Sequence, residues 1–228
     1  MRAKTMSKVV DKLKQLPWIA PLFGAAVFFL ALLPESQQTF FQFDRNRILE
    51  GEVWRMFTGH LVHWNSSHLF WDLFVFLGCG FFLEWLQRNR VLIIILAVTL
   101  SVSTALLVFQ PSLVYYRGLS AVDMGLFTAV CLKAIAYCRL RNKRPMAVVW
   151  SLVLLGCFLK PFLEVATGDA LFVSGFGEGI VPSPASHIFG ILAVLILFMA
   201  ISFWRKLLNR SDYNRSFRNH SPSEISIS

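Results

Sequence analysis

Six long apolar blocks constrain this chain more than any other feature. They cover about residues 18–33, 67–86, 91–109, 119–136, 146–165 and 185–204. A helix needs roughly 20 mostly apolar residues to cross the hydrocarbon core of a bilayer. Charged residues make up 15% of the chain, whereas a soluble domain carries about 25%. We therefore predict an all-α polytopic membrane protein built as a bundle of six transmembrane helices.

The polar segments divide the chain into three parts. We predict a basic N-terminal segment over 1–17, a membrane domain over 18–204 and a polar tail over 205–228. The Ser-rich end of that tail has the composition of a disordered segment. Within the domain, the aromatic-rich connection 35–65 is expected to lie in the membrane interface. The glycine-rich loop 166–184 is expected to act as a mobile cap that admits substrate and water.

The distribution of basic residues predicts the orientation of the bundle. Six spans place both termini on one side, and 16 of the Lys and Arg residues flank the spans on that side, against 5 on the other. Basic residues favour the cytoplasmic side, so both termini are expected in the cytoplasm. The net charge of +9 is explained by this pattern, and no nucleic-acid partner is expected. The four cysteines lie in or beside apolar blocks, without metal-type spacing or a disulfide framework.

Three polar side chains share one depth in this topology. Ser120, His187 and His68 each lie near the outer end of a span that runs inward, and Asp72 lies one turn deeper than His68. Polar groups are costly in hydrocarbon and tend to mark function. A serine at a helix start also has a structural explanation, because its hydroxyl can bond to a nearby backbone carbonyl. The shared depth favours a functional site instead.

These residue types suit acyl transfer. A serine hydroxyl becomes a nucleophile when a base within hydrogen-bond reach takes its proton, and neutral histidine is the usual base. Ser120 and His187 supply that pair. Donors for a developing oxyanion could come from the His68 ring and from the first backbone N–H groups of span four. Asp72, on the same helix face as His68, either orients that ring or serves as a protonated donor.

The proposed pair can meet only if spans four and six pack closely. Ala121, Gly125 and Ala129 form a stripe of small residues in span four, and Gly190 follows His187 by three positions in span six. Small residues let helix backbones approach each other in lipid. The stripe permits the approach, although such stripes occur in many helix bundles. Asp123 is interpreted as a structural polar contact between helices.

The motifs together resemble the rhomboid intramembrane serine proteases over about residues 18–204. Gly118–Ala121 resembles the Gly-x-Ser-Gly motif at the start of the fourth helix, and His187 with Gly190 resembles the sixth-helix histidine and its glycine. The segment Val53–Thr58 is similar to the Trp-Arg motif of the first outer loop. His68–Asp72 stands where rhomboids carry His-x-x-x-Asn. The resemblance implies a six-helix fold with Ser120 as nucleophile and His187 as base.

The sequence is most similar to the rhombosortase branch of that family, because Asp72 replaces asparagine and Asp123 follows the serine. This likeness implies a bacterial inner-membrane enzyme whose active site faces the periplasm. Its partners would be membrane-anchored exported proteins with a C-terminal Gly-Gly-type sorting segment. His68 would be an oxyanion-side donor, with Asp72 and Gly118 as auxiliary residues. The chain departs from the wider rhomboid pattern at three positions. Asp72 stands in place of asparagine, Ala121 in place of glycine, and Val194 in place of a small residue.

Two other functions are compatible with parts of the sequence. A catalytically inactive relative that binds transmembrane segments usually lacks the serine or the histidine, and both are present here. A metal site built from His60, His63, His68 and Asp72 has suitable ligand types. However, no His-Glu-x-x-His motif is present, and His60 and His63 precede the span. No metal or other cofactor is therefore expected.

Overall fold

The computed structural model describes residues 17–168 and 183–219. Two compact units divide the chain, Met1–Val194 and Leu195–Ser228, and every candidate site residue belongs to the first. The elements in chain order are α1 (Ile19–Ala31), α2 (Glu35–Phe41), β1 (Phe43–Asp44), α3 (Arg45–Leu49), α4 (Arg55–Thr58), α5 (Ser66–Phe109), β2 (Tyr115–Tyr116), α6 (Ser120–Leu140), α7 (Arg144–Thr167) and α8 (Pro184–Asn219).

The predicted all-α membrane bundle is confirmed. Among the described residues, five helical segments are long and apolar enough to cross a bilayer: Ser66–Leu86, Val91–Phe109, Ser120–Leu140, Arg144–Thr167 and Pro184–Trp204. The first apolar block forms the 13-residue helix α1, which is shorter than the other five. At 1.5 Å per residue, α1 is roughly 20 Å long. The protein is thus a multi-pass membrane protein.

A buried glutamate fixes the start of α1. Glu84, only 3% exposed, accepts hydrogen bonds from the backbone N–H groups of Trp18 and Ile19 at 2.8 Å and from that of Ala20 at 2.9 Å. The first N–H groups of a helix have no partner inside it, and a carboxylate there also interacts favourably with the helix dipole. Glu84 therefore joins the start of α1 to the C-terminal end of span two.

Spans two and three both belong to α5, whose helical geometry continues through residues 87–90. The start of span two and the end of span three face the same short segment, because His60 contacts Ser103 at 3.0 Å while His63 contacts Asp72 at 3.1 Å. The two spans therefore run antiparallel, so the chain of α5 reverses direction between them.

The connection 35–65 forms three short helices and a strand, and two buried arginines hold it together. Arg55 donates to the carbonyl oxygens of Thr39 and Gln42 at 3.0 and 3.1 Å and pairs with Glu52. Arg117 donates to the Gln42 side chain at 2.9 Å. Multiple donors in a planar fork suit arginine to this cross-linking. The connection is therefore tied directly to the segment before span four.

Helix α6 is the centre of the bundle. In its apolar membrane-spanning stretch 61% of the residues are buried, against 17 to 39% in the other four membrane-length helices. It packs against α5 and α7. The small-residue stripe explains this position, because Ala121, Gly125 and Ala129 are all buried and leave room for neighbouring backbones.

Parts of three predictions lie outside the described residues. These parts are residues 1–16 of the basic N-terminal segment, residues 169–182 of the glycine-rich loop and the Ser-rich end 220–228. Helix α8 extends to Asn219, so 205–219 of the predicted polar tail are helical.

Candidate active site

The turn before Ser120 is held by backbone contacts from two directions. Strand β1 pairs antiparallel with β2, so that Phe43 lies opposite Tyr116. The N–H of Gly118 then donates to the carbonyl oxygen of Gly59 at 3.2 Å. This two-residue pairing could not be predicted, because strands so short carry no periodic pattern. The pairing fixes where span four begins.

Gly118 is required at this turn for two reasons. Its φ is +122°, a conformation that costs free energy for residues with a Cβ. A Cβ added there would lie 2.5 Å from Cε1 and Nε2 of His68, well inside van der Waals contact. The glycine therefore allows the backbone before Ser120 to lie against the His68 ring.

Asp72 links that ring to the turn. Its Oδ2 lies 3.2 Å from Nε2 of His68 and 3.1 Å from Nε2 of His63, and it accepts the N–H of Leu119 at 2.8 Å. All three donors converge on an acceptor, which fits a carboxylate rather than a protonated acid donating outward. Of the two roles predicted for Asp72, the geometry favours orientation of His68. The Leu119 N–H is used by this carboxylate, so it is not available to an oxyanion.

His60 and His63, the two histidines of the connection, also have buried partners near the turn. Burial lowers the pKa of His63, and the neighbouring Asp72 carboxylate offsets only part of this shift. Burial lowers the pKa of His60 to about 4, so its ring is neutral at pH 7. Ser103 donates its hydroxyl proton to the carbonyl of Met56 at 2.6 Å and therefore accepts from His60 Nε2 at 3.0 Å. These rings bind structural partners, and no metal-type cluster of His, Cys, Asp or Glu occurs among the residues described.

The helices that carry Ser120 and His187 touch through their backbones. A Cβ added at Gly190 would overlap the carbonyl oxygen of Ala121, and a Cβ at Gly125 would meet the carbonyl oxygen of Gly190 at 3.1 Å. Only glycine at 190 allows α6 and α8 to come this close. The close approach of spans four and six that the small residues permit is therefore present, one turn deeper than the histidine.

Tyr116 shows that the start of span four and the start of span six are also close to each other. Its buried hydroxyl lies near the hydroxyls of Ser120 and Ser186, without a well-aligned hydrogen bond to either. Ser186 directly precedes His187. Burial raises the pKa of Tyr116, so its hydroxyl is protonated at pH 7. Ser120 itself is partly exposed.

A carboxylate that the sequence analysis did not single out faces the other side of His187. Glu164 of α7 places Oε2 2.8 Å from His187 Nδ1, while its Oε1 lies 2.5 Å from Lys160 Nζ. The glutamate is 2% exposed. A Lys and a Glu four residues apart in an apolar span would have been a usable signal, since ionisable residues there tend to be functional.

Asp123 is also buried, and its Oδ1 has no hydrogen-bond partner among the described residues. The contact with a neighbouring helix that the sequence suggested for this carboxylate is not seen for that oxygen. Position three after the serine thus supplies no observed partner for His187, and the carboxylate beside that ring comes from α7 instead.

These features define a class: a multi-pass membrane bundle in which a serine and a histidine from two tightly packed helices lie at one end. Residues 50–205 match the family model described as Rhomboid domain, which is more than half of the chain. The chain belongs to the rhomboid family, whose members are intramembrane serine proteases. The search of curated proteins gave no match.

Proposed function

We propose that this protein is an intramembrane serine endopeptidase in which Ser120 is the nucleophile and His187 the general base. The observation that carries the proposal is the backbone contact between Gly190 and Ala121. It brings the helix turn next to Ser120 against the helix turn next to His187. Membership of the rhomboid family supports the same reaction class.

The reaction follows from the two side chains. Ser120 Oγ attacks the carbonyl carbon of the scissile peptide while its proton passes to His187 Nε2. The C–N bond then breaks, and His187 gives the proton to the leaving amine. A water next attacks the acyl group, passing its proton to His187, and the ester bond to Ser120 breaks with return of that proton to Oγ. The first N–H groups of α6 lack helical partners and suit the oxyanion.

His68 lies on the oxyanion side in this proposal. Its Nε2 is held by Asp72 and by the close approach of Gly118, so the donor it offers to the oxyanion is the N–H at Nδ1. The outward-facing end of the site is assigned to the periplasmic side of a bacterial inner membrane, with both termini cytoplasmic. The basis is the excess of Lys and Arg on the terminal side of the spans. The substrates are membrane-anchored exported proteins with a C-terminal Gly-Gly-type sorting segment, by similarity to the rhombosortase branch.

A paired reporter experiment tests both reaction and substrate class. Wild type and Ser120→Ala are reconstituted in vesicles with an anchored reporter that carries a Gly-Gly sorting segment, or with a matched reporter in which Val-Val replaces Gly-Gly. We expect cleavage of the Gly-Gly reporter by wild type only. Equal cleavage of both reporters would contradict the substrate class. Retention of the reporter without cleavage, equal in both proteins, would instead indicate a protein that binds transmembrane segments.

A further inference from the structure

Glu164 is a buried acid in a membrane-spanning helix that the Ser120–His187 pair does not account for. Its side chain is 1% exposed. A carboxylate in such a place is costly unless it is paired and hydrogen-bonded. Glu164 meets this condition, because its two oxygens contact Lys160 of the same helix and His187 of α8. Lys160 and Glu164 are four residues apart in α7, so their side chains lie on the same face of the helix.

The contacts around His187 Nδ1 decide which ring nitrogen carries the proton. Glu164 Oε2 lies 2.8 Å from Nδ1 and only accepts, whereas Lys160 Nζ lies 3.4 Å from Nδ1 and only donates. The carboxylate is much closer, and a charge-assisted hydrogen bond is about twice as strong as a neutral one. Nδ1 therefore carries the proton and donates it to Glu164. In a neutral ring, this leaves the lone pair on Nε2.

We propose that Glu164 is a positioning residue that holds His187 in the tautomer with a free Nε2, and that Lys160 neutralises the glutamate. The proposal rests on the proposed function, because only an activated Ser120 requires that lone pair. With Glu164, the Ser120–His187 pair becomes a triad of Ser120, His187 and Glu164. Each member comes from a different helix: α6, α8 and α7 respectively. The carboxylate also stabilises the imidazolium that forms when His187 takes the serine proton.

The decisive variant is Glu164→Gln, which keeps the size of the side chain and removes its charge. An amide offers N–H donors as well as an oxygen, and Lys160 is left as a second donor beside Nδ1. Both changes favour a ring protonated at Nε2, which cannot accept the serine proton. Glu84→Gln is the matched control, since Glu84 is an equally buried membrane glutamate that serves the start of α1. Lys160→Met completes the set.

Labelling of Ser120 by a fluorophosphonate measures the effect. In this step the Oγ–P bond forms, the P–F bond breaks, fluoride leaves and the hydroxyl proton passes to His187. Replacement of the aspartate of Ser-His-Asp proteases by asparagine lowers kcat by roughly 10⁴-fold. We expect Glu164→Gln to lower the labelling rate of folded protein by about 10²-fold or more, with Glu84→Gln within about threefold of wild type. On the Gly-Gly reporter the loss should fall on kcat rather than KM.

Nitrogen NMR of the His187 ring gives a second readout. In the wild type, which does not depend on how any variant folds, the ring should be protonated at Nδ1. In Glu164→Gln the ring should be protonated at Nε2. A wild-type ring protonated at Nε2 would overturn the proposal, as would wild-type labelling rates in folded Glu164→Gln. Loss of labelling in Lys160→Met with full activity in Glu164→Gln would identify Lys160 as the base instead. Absence of labelling in wild type would contradict the proposed function itself.

Discussion

Gly190→Ala is expected to lower the rate of Ser120 labelling by about 10²-fold while leaving the protein folded in the membrane. The added methyl would overlap the carbonyl oxygen of Ala121, which is backbone and cannot rotate away. Helix α8 must then retreat from α6 by about 1 Å, and a displacement of that size can lower a reaction rate by roughly 10²-fold. His187 moves with α8, three residues from the substituted position.

The measurement is the labelling rate of wild type, Gly190→Ala and a matched glycine variant in detergent. Gly156→Ala is the control, since α7 also spans the membrane and a Cβ at Gly156 meets no atom within 4 Å. Gly156→Ala should react like wild type. Normal labelling of Gly190→Ala would show that the contact between α6 and α8 does not bring the reacting groups together.

Gly118→Ala is expected to have an effect of similar size through a different cause. The substitution combines an unfavourable φ of +122° with a Cβ 2.5 Å from the His68 ring. Relief of the overlap requires His68 to move or the turn before Ser120 to shift. Either change disturbs the serine and the oxyanion side together. We expect a loss of labelling of about 10²-fold.

The chain offers a control that separates strain from contact. Gly51 has a φ of +109°, yet a Cβ there meets nothing within 4 Å. Gly51→Ala should therefore lower the free energy of unfolding by about 1 kcal/mol, the usual cost of such a conformation, without changing the labelling rate. If Gly51→Ala lost labelling as severely as Gly118→Ala, backbone strain rather than the His68 contact would be the cause.

The sequence predicted the parts of this fold that depend on local composition. Apolar blocks gave the five membrane-length helices, because burial in lipid requires long runs of apolar residues. The small residues of span four only permitted tight packing, and the structure shows it at Gly190 and Ala121. The first block proved shorter than a full span. Its α1 helix begins where Glu84 binds it, and that contact lies more than 60 residues away in the chain.

Two supporting contacts of the site could not be predicted, because each joins residues that are distant in sequence. Asp72 binds the N–H of Leu119 across 47 positions, and nothing near Asp72 indicates this partner. Glu164 lies near the end of the fifth apolar block, where a charge is easily read as part of the adjoining loop. Its importance appears only when α8 places His187 Nδ1 against it.

The most direct test of the account is fluorophosphonate labelling of wild type, Ser120→Ala and His187→Ala in native membranes, with the modified residue identified by mass spectrometry. Ser120 should be modified in wild type, and labelling should be lost in both variants. Labelling at another residue, or equal labelling in all three proteins, would contradict a Ser120 nucleophile activated by His187. Well-folded wild type that takes up no label would point to a member of the family that binds transmembrane segments without cleaving them.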